Sequence, residues 1–206
     1  MNHVRSSLFA LLSLALAMPV GLQAAGDPVR GQELSQACAA CHGSDGNSVN
    51  PEWPKLAGQH ASYTHKQLMD YKSGRRENAL MLGQVANLDE QDMWDLAAFY
   101  AQQEISPGTA DESVAERGER IYRGGIPSAG VAACMACHGA TGAGNPAAMF
   151  PAVASQHAQY SADQLRYFRS GQRANDNGRM MRSLAVRMSD ADIEAVSQYM
   201  AGLRAE

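Results

Sequence analysis

The sequence predicts an all-α chain of two tandem domains, each built around one covalently held group. Three observations carry this. Cys38-Ala39-Ala40-Cys41-His42 recurs as Cys134-Met135-Ala136-Cys137-His138, and the two runs use all four cysteines. The stretch from Trp53 to Tyr63 returns as Phe150 to Tyr160, with the Q-H-A-x-Y portion kept in both. Apolar residues follow helical spacing, and no stretch alternates as a half-buried strand would.

C-x-x-C-H is the attachment pattern of c-type haem. Its two thiols add to the haem vinyl groups as thioethers, and the adjacent histidine supplies the proximal iron ligand. One short helical turn brings both sulfurs to neighbouring ring edges while the next residue reaches the metal. A zinc site also uses paired cysteines, but a histidine directly after both pairs is foreign to the zinc-ribbon pattern. A redox-active pair is expected once, beside a βαβ unit. Two disulfides are the remaining structural reading for an exported protein. The duplication favours two haem c groups, one per domain, attached at Cys38 and Cys41 and at Cys134 and Cys137, with His42 and His138 on the irons.

Residues 1–25 read as a secretory signal. Arg5 gives the positive region, Leu8 to Val20 is apolar, and Gly21 to Ala25 supplies small residues for cleavage. That apolar core is shorter than the about 20 residues a membrane helix needs. The mature chain is therefore expected in the periplasm. Its domains are expected at 26–105 and 114–206, joined by a linker at 106–113 rich in turn formers. Each half is of the size, roughly 80–90 residues, at which a core is marginal, so a buried haem would be the largest apolar element.

Helices are expected at about 27–37, at 61–73 with Gly74 closing it, and after Asp89, whose side chain caps with an acid at Asp92. In the second half they fall at about 113–122, at 158–170 before Gly171, and after Ser189 with Asp192. Charge is uneven: residues 26–112 carry net −7 and residues 113–206 net +2. Such a dipole suggests two ends steered to different partners.

A six-coordinate haem needs a distal ligand, whose identity separates a carrier from a catalyst. Met81 and Met181 are expected in loops, each about midway between the two repeat helices and in matching places. Met180 is adjacent and competes with Met181. His60 and His157 also match across the repeat, but they lie close to a helix start and read as polar contacts. His65 has no counterpart and reads as a surface residue. Pro54 and Pro151, each after an aromatic residue, offer carbonyls for the second ring nitrogen of His42 and His138.

Two C-x-x-C-H domains, the W/F-P-x-L/V-A-x-Q-H-A-x-Y stretch, a methionine in register and a capped terminal helix together resemble the dihaem cytochrome c4 family. The resemblance spans essentially the whole mature chain. It implies two class I cytochrome c folds and axial pairs of His42 with Met81 and His138 with Met181. It further implies a soluble or loosely membrane-associated periplasmic carrier, taking electrons from a cytochrome bc-type quinol-oxidising complex to a haem-copper terminal oxidase. Three extra residues between Arg173 and Met181 depart from the first half and leave Met180 or Met181 open. Nothing resembles a nucleophile, general base or phosphate loop, and no nucleic-acid partner is expected. The rival readings are the haem subunit of a periplasmic dehydrogenase, such as a flavocytochrome c sulfide dehydrogenase, and a dihaem peroxidase-like enzyme.

Overall fold

The computed structural model of the chain describes residues 26–205, so the signal expected at 1–25 lies outside it. Ten α-helices are present among the described residues, five in each half. The first half holds α1 (Pro28–Leu34), α2 (Ala39–His42), α3 (Ala61–Lys72), α4 (Ala79–Val85) and α5 (Glu90–Ala101). The second repeats them as α6 (Glu112–Gly124), α7 (Met135–His138), α8 (Ala158–Ser170), α9 (Met180–Ala185) and α10 (Asp190–Gly202). Among the described residues only two isolated bridges, Ile126 with Val131 and Asn145 with Phe150, stand where a sheet would be. The all-α expectation holds. No described helix is long and apolar enough to cross a membrane.

Local chemistry sets the helix ends. Asp27 accepts from the Val29 amide ahead of Pro28, whose missing N–H is no loss in a first turn. Asp89 with Asp92, and Ser189 with Asp192, form reciprocal capping boxes on α5 and α10. In each half the first and last helices cross where a glycine stands. A Cβ on Gly31 would lie 2.0 Å from the Asp95 carbonyl oxygen, and one on Gly118 would lie 2.1 Å from that of Ala195. Only hydrogen permits so close a backbone approach, which explains why a helix interior tolerates glycine here.

The cores are small. In the first half Leu96, Phe99 and Tyr100 are buried, with Leu34, Leu56, Leu68 and Leu88 packed half-buried around them. In the second, Ile121, Tyr122, Ile193, Val196 and Met200 form the centre.

The halves meet face to face through equivalent residues. The Gln59 side chain donates to the Ala152 carbonyl at 2.9 Å and accepts from the Ala152 amide at 3.0 Å. Gln156 makes the same pair with Lys55, both contacts at 2.9 Å. His60 Nε2 donates to the Ala143 carbonyl at 2.7 Å, and His157 Nε2 to that of Ser48 at 2.9 Å. A duplicated segment presents the same groups on both faces, so it pairs with itself about a local two-fold axis. The connection between halves is tied down as well: Lys55 Nζ donates to the Ser106 carbonyl at 2.7 Å, and the Ser106 amide donates to Asn47 Oδ1 at 2.7 Å.

Candidate haem sites

Each C-x-x-C-H run forms a single helical turn. The His42 amide bonds to the Cys38 carbonyl at 3.0 Å and the His138 amide to the Cys134 carbonyl at 2.9 Å. Gly43 and Gly139 end these turns at φ +80° and +78°, a left-handed conformation that suits glycine. The turn leaves Cys41 and Cys137 exposed and Cys38 and Cys134 half-buried. No disulfide joins any two of the four cysteines. Nor do three or more His, Cys, Asp or Glu side chains converge on a common point among the described residues, which removes the zinc reading. Burial pushes the Cys134 thiol up to about 11 and the Cys38 thiol in the same direction.

Both motif histidines are buried. His42 Nδ1 lies 2.9 Å from the Pro54 carbonyl, and His138 Nδ1 lies 2.9 Å from that of Pro151. A carbonyl only accepts, so Nδ1 carries the proton and the Nε2 lone pair is left for a metal. Burial lowers both imidazoles below the ordinary histidine range, outweighing these bonds, which favours the neutral form that ligation requires. The lining also fits a flat apolar group. Cys38 and the half-buried Leu34, Leu56, Leu68 and Leu88 all pack against the buried Leu96, Phe99 and Tyr100, and the Tyr100 hydroxyl is buried in that cluster without a hydrogen-bond partner.

The distal segments differ from expectation. Met81 and Met181 stand not in loops but in the first turns of α4 and α9. Asn78 caps α4 by accepting from the Met81 amide at 3.0 Å. In the second half the three extra residues form the turn Asn177–Arg179, after which Asp176 accepts from the Arg182 amide at 3.0 Å. Met181 packs on the core around Ile121 and Val196, whereas Met180 is 41 % exposed. The spacing alone could not show these caps, because each helix is shorter than two full periods of a hydrophobic pattern.

His60 and His157 are drawn into the domain interface and do not join the haem sites. His65 is half-buried, its ring stacked on Trp94 at 3.8 Å, which corrects its reading as a surface residue.

A family model for cytochrome c matches residues 28–103 and again 115–204. Cytochrome c4 of Thiocapsa roseopersicina is 51 % identical over 180 residues, covering 86 % of this chain and 93 % of that protein. The chain belongs to the cytochrome c4 family. The crystal structure of reduced recombinant cytochrome c4 from Pseudomonas stutzeri superposes with a TM-score of 0.85 at 44 % identity, over 87 % of this chain and all of the other. A thiosulfate dehydrogenase electron acceptor of Stutzerimonas stutzeri is 37 % identical over 174 residues, 82 % of this chain and 80 % of that protein. Cytochrome c domains bind haem c covalently, and the pairs Cys38 with Cys41 and Cys134 with Cys137 fit two haems. Cytochromes c4 are dihaem electron-transfer proteins.

Proposed function

We propose that the chain is a periplasmic one-electron carrier with no substrate chemistry of its own, its iron centres held by His42 with Met81 and by His138 with Met181. It comprises domains 26–105 and 114–206 joined by 106–113. When bound, haem c supplies a reversible one-electron couple. The residues supply the rest: the thiols tether, the imidazoles present Nε2, and the Pro54 and Pro151 carbonyls hold the rings in place. Thioether and imidazole together raise the reduction potential relative to two imidazoles. The observation that carries this reading is the duplication of one arrangement, a buried histidine bonded at 2.9 Å to a proline carbonyl and a methionine helix in register, in both halves. Two equal, fully ligated centres suit a carrier; a peroxidase needs one open iron.

The acceptor is a terminal oxidase. The donor is a quinol-oxidising complex of the cytochrome bc type or a periplasmic dehydrogenase, the latter supported by the similarity to a thiosulfate dehydrogenase electron acceptor. Stopped-flow reduction of the oxidised holoprotein by each isolated donor, followed by reoxidation with membranes, tests the assignment. Reduction of both haems within a turnover of one donor, and reoxidation by the oxidase, is expected. Failure of every donor to reduce either haem, or hydrogen peroxide turnover by the reduced protein, would contradict it.

A further inference from the structure

Beside the connection between the halves lies a cleft of about 260 Å³, lined among others by Lys55, Gly108, Thr109, Ser155, His157 and Ala158. Its walls come from three parts of the chain: the first half, the connection and the second half. The connection is pressed onto the second half, since a Cβ on Gly108 would lie 2.5 Å from the Ala201 carbonyl oxygen. The cleft has room for one small ion with a few waters, each of which takes about 30 Å³.

Lys55 makes the cleft cationic. Only 6 % of the residue is exposed, and its ammonium donates one hydrogen bond, to the Ser106 carbonyl. An ammonium carries three N–H donors, so two are left over. The charged group acting on it is a second cation, Arg204; burial and this repulsion together hold the lysine below its ordinary range. Arg204 is fixed at the rim, donating to the Gly108 carbonyl at 2.9 Å and to the Gly202 carbonyl at 2.8 Å, both neutral acceptors. Burying a cation is costly unless an anion offsets it. On the same wall α8 begins, and no side chain caps it at His157, so the positive end of its dipole also faces this space uncompensated.

The repeat accounts for none of these polar groups. Lys55 corresponds to Ala152 in the second half, and Ser155 to Gly58 in the first. Ser155 holds φ at +57°, a left-handed conformation that the first half gives to Gly58 at +68°. Its hydroxyl donates to the Leu203 carbonyl at 2.8 Å and so fixes the segment that carries Arg204.

We propose that this cleft binds one tetrahedral oxyanion of the phosphate or sulfate type, held by Lys55, Arg204 and the first turn of α8, and that the bound ion ties both halves to the connection. The oxygens of such an ion accept from ammonium, guanidinium and backbone amides at once, and its charge offsets both cations. The site needs neither a haem nor a redox partner, so its failure would leave the carrier reading as it stands.

Calorimetric titration of the holoprotein with inorganic phosphate, and separately with sulfate, at an ionic strength held constant with chloride, tests this. One saturable site per chain is expected. Lys55→Met should weaken phosphate binding about tenfold or more, the loss of a hydrogen bond to a charged group. Arg204→Gln, at an exposed position, should weaken it about threefold. Arg187→Gln, a surface cation held instead at the Gly130 carbonyl, should leave it unchanged. If Lys55→Met does not fold, Arg204→Gln and the wild-type protein decide, since saturating phosphate should slow proteolysis within 106–109 relative to chloride. No saturable binding, equal affinity in the Arg204 or Lys55 variant, or proteolysis that follows ionic strength whatever the anion, overturns the proposal and leaves these ions as screening salt only.

Discussion

The proton on Nδ1 of His42 and His138 is committed to a proline carbonyl, and that single bond leaves Nε2 as the nitrogen for the proposed iron ligation. In the proposed assignment, Met81 and Met181 close the sixth position. Met81→Ala or Met181→Ala should leave haem attached, lower that centre's potential and speed cyanide binding by at least tenfold; Met180→Ala should do neither. Binding rates and visible spectra of the three variants check this. Asp70 makes a second residue-scale case. Burial opposes its ionisation, but hydrogen bonds from Lys66, Asn175 and Arg75 outweigh burial and hold the carboxyl below the usual carboxylate range. A depressed folded pKa contributes stability above the unfolded value of about 3.9 that is lost as pH falls through the lower folded one. Asp70→Asn should thus destabilise the protein by about 3 kcal/mol at neutral pH. Its stability should fall less steeply than that of wild type below about pH 4, the unfolded carboxylate range. Chemical denaturation across a pH series measures both.

At the scale of elements, the helix crossings depend on two glycines and the helix starts on two capping boxes. Gly118→Ala would place a methyl carbon 2.1 Å from the Ala195 carbonyl oxygen, forcing α6 away from α10. The expected loss is about 1–3 kcal/mol, the range for overpacking a well-filled contact. Ser189→Ala removes one cap and should cost about 1 kcal/mol. Thermal unfolding of the two variants should therefore rank glycine above serine; the reverse order would show that the crossing relaxes easily. The capping boxes and long helices were legible because S/D-x-x-D before an apolar period is a local signal. The short helices carrying Met81 and Met181 were not, since fewer than two turns give no period to read and the side chains that hold their first turns, Asn78 and Asp176, reach over different sequence distances. His65 looked like surface because its stacking partner, Trp94, lies on another helix.

At the scale of the whole molecule, the repeat that revealed two domains also encoded their contact. The motif Q-H-A-x-Y is the interface itself: Gln59 and Gln156 read the opposite backbone, and Tyr63 and Tyr160 meet the opposite arginine. Repetition in one chain announces similarity of halves, but that the shared surface faces itself needs coordinates. Arg173 is buried in this contact, while Arg166 and Arg169 pair with Asp163, Asp190 and Glu194 nearer the surface. The first half nonetheless keeps its net −7 against +2 in the second. Exchange with at least one partner should slow as salt rises, because screening acts within about 8 Å at physiological ionic strength. Neutralising the exposed Glu77 and Glu90 should slow a different partner reaction from neutralising Arg166 and Arg169. The central claim, two fully ligated one-electron centres in one chain, is tested most directly by coulometric titration of the holoprotein with its visible spectrum recorded throughout. The account predicts two electrons per chain, low-spin spectra at every stage and no change on adding peroxide to the reduced form; one electron per chain, or a high-spin fraction that reacts with peroxide, would contradict it.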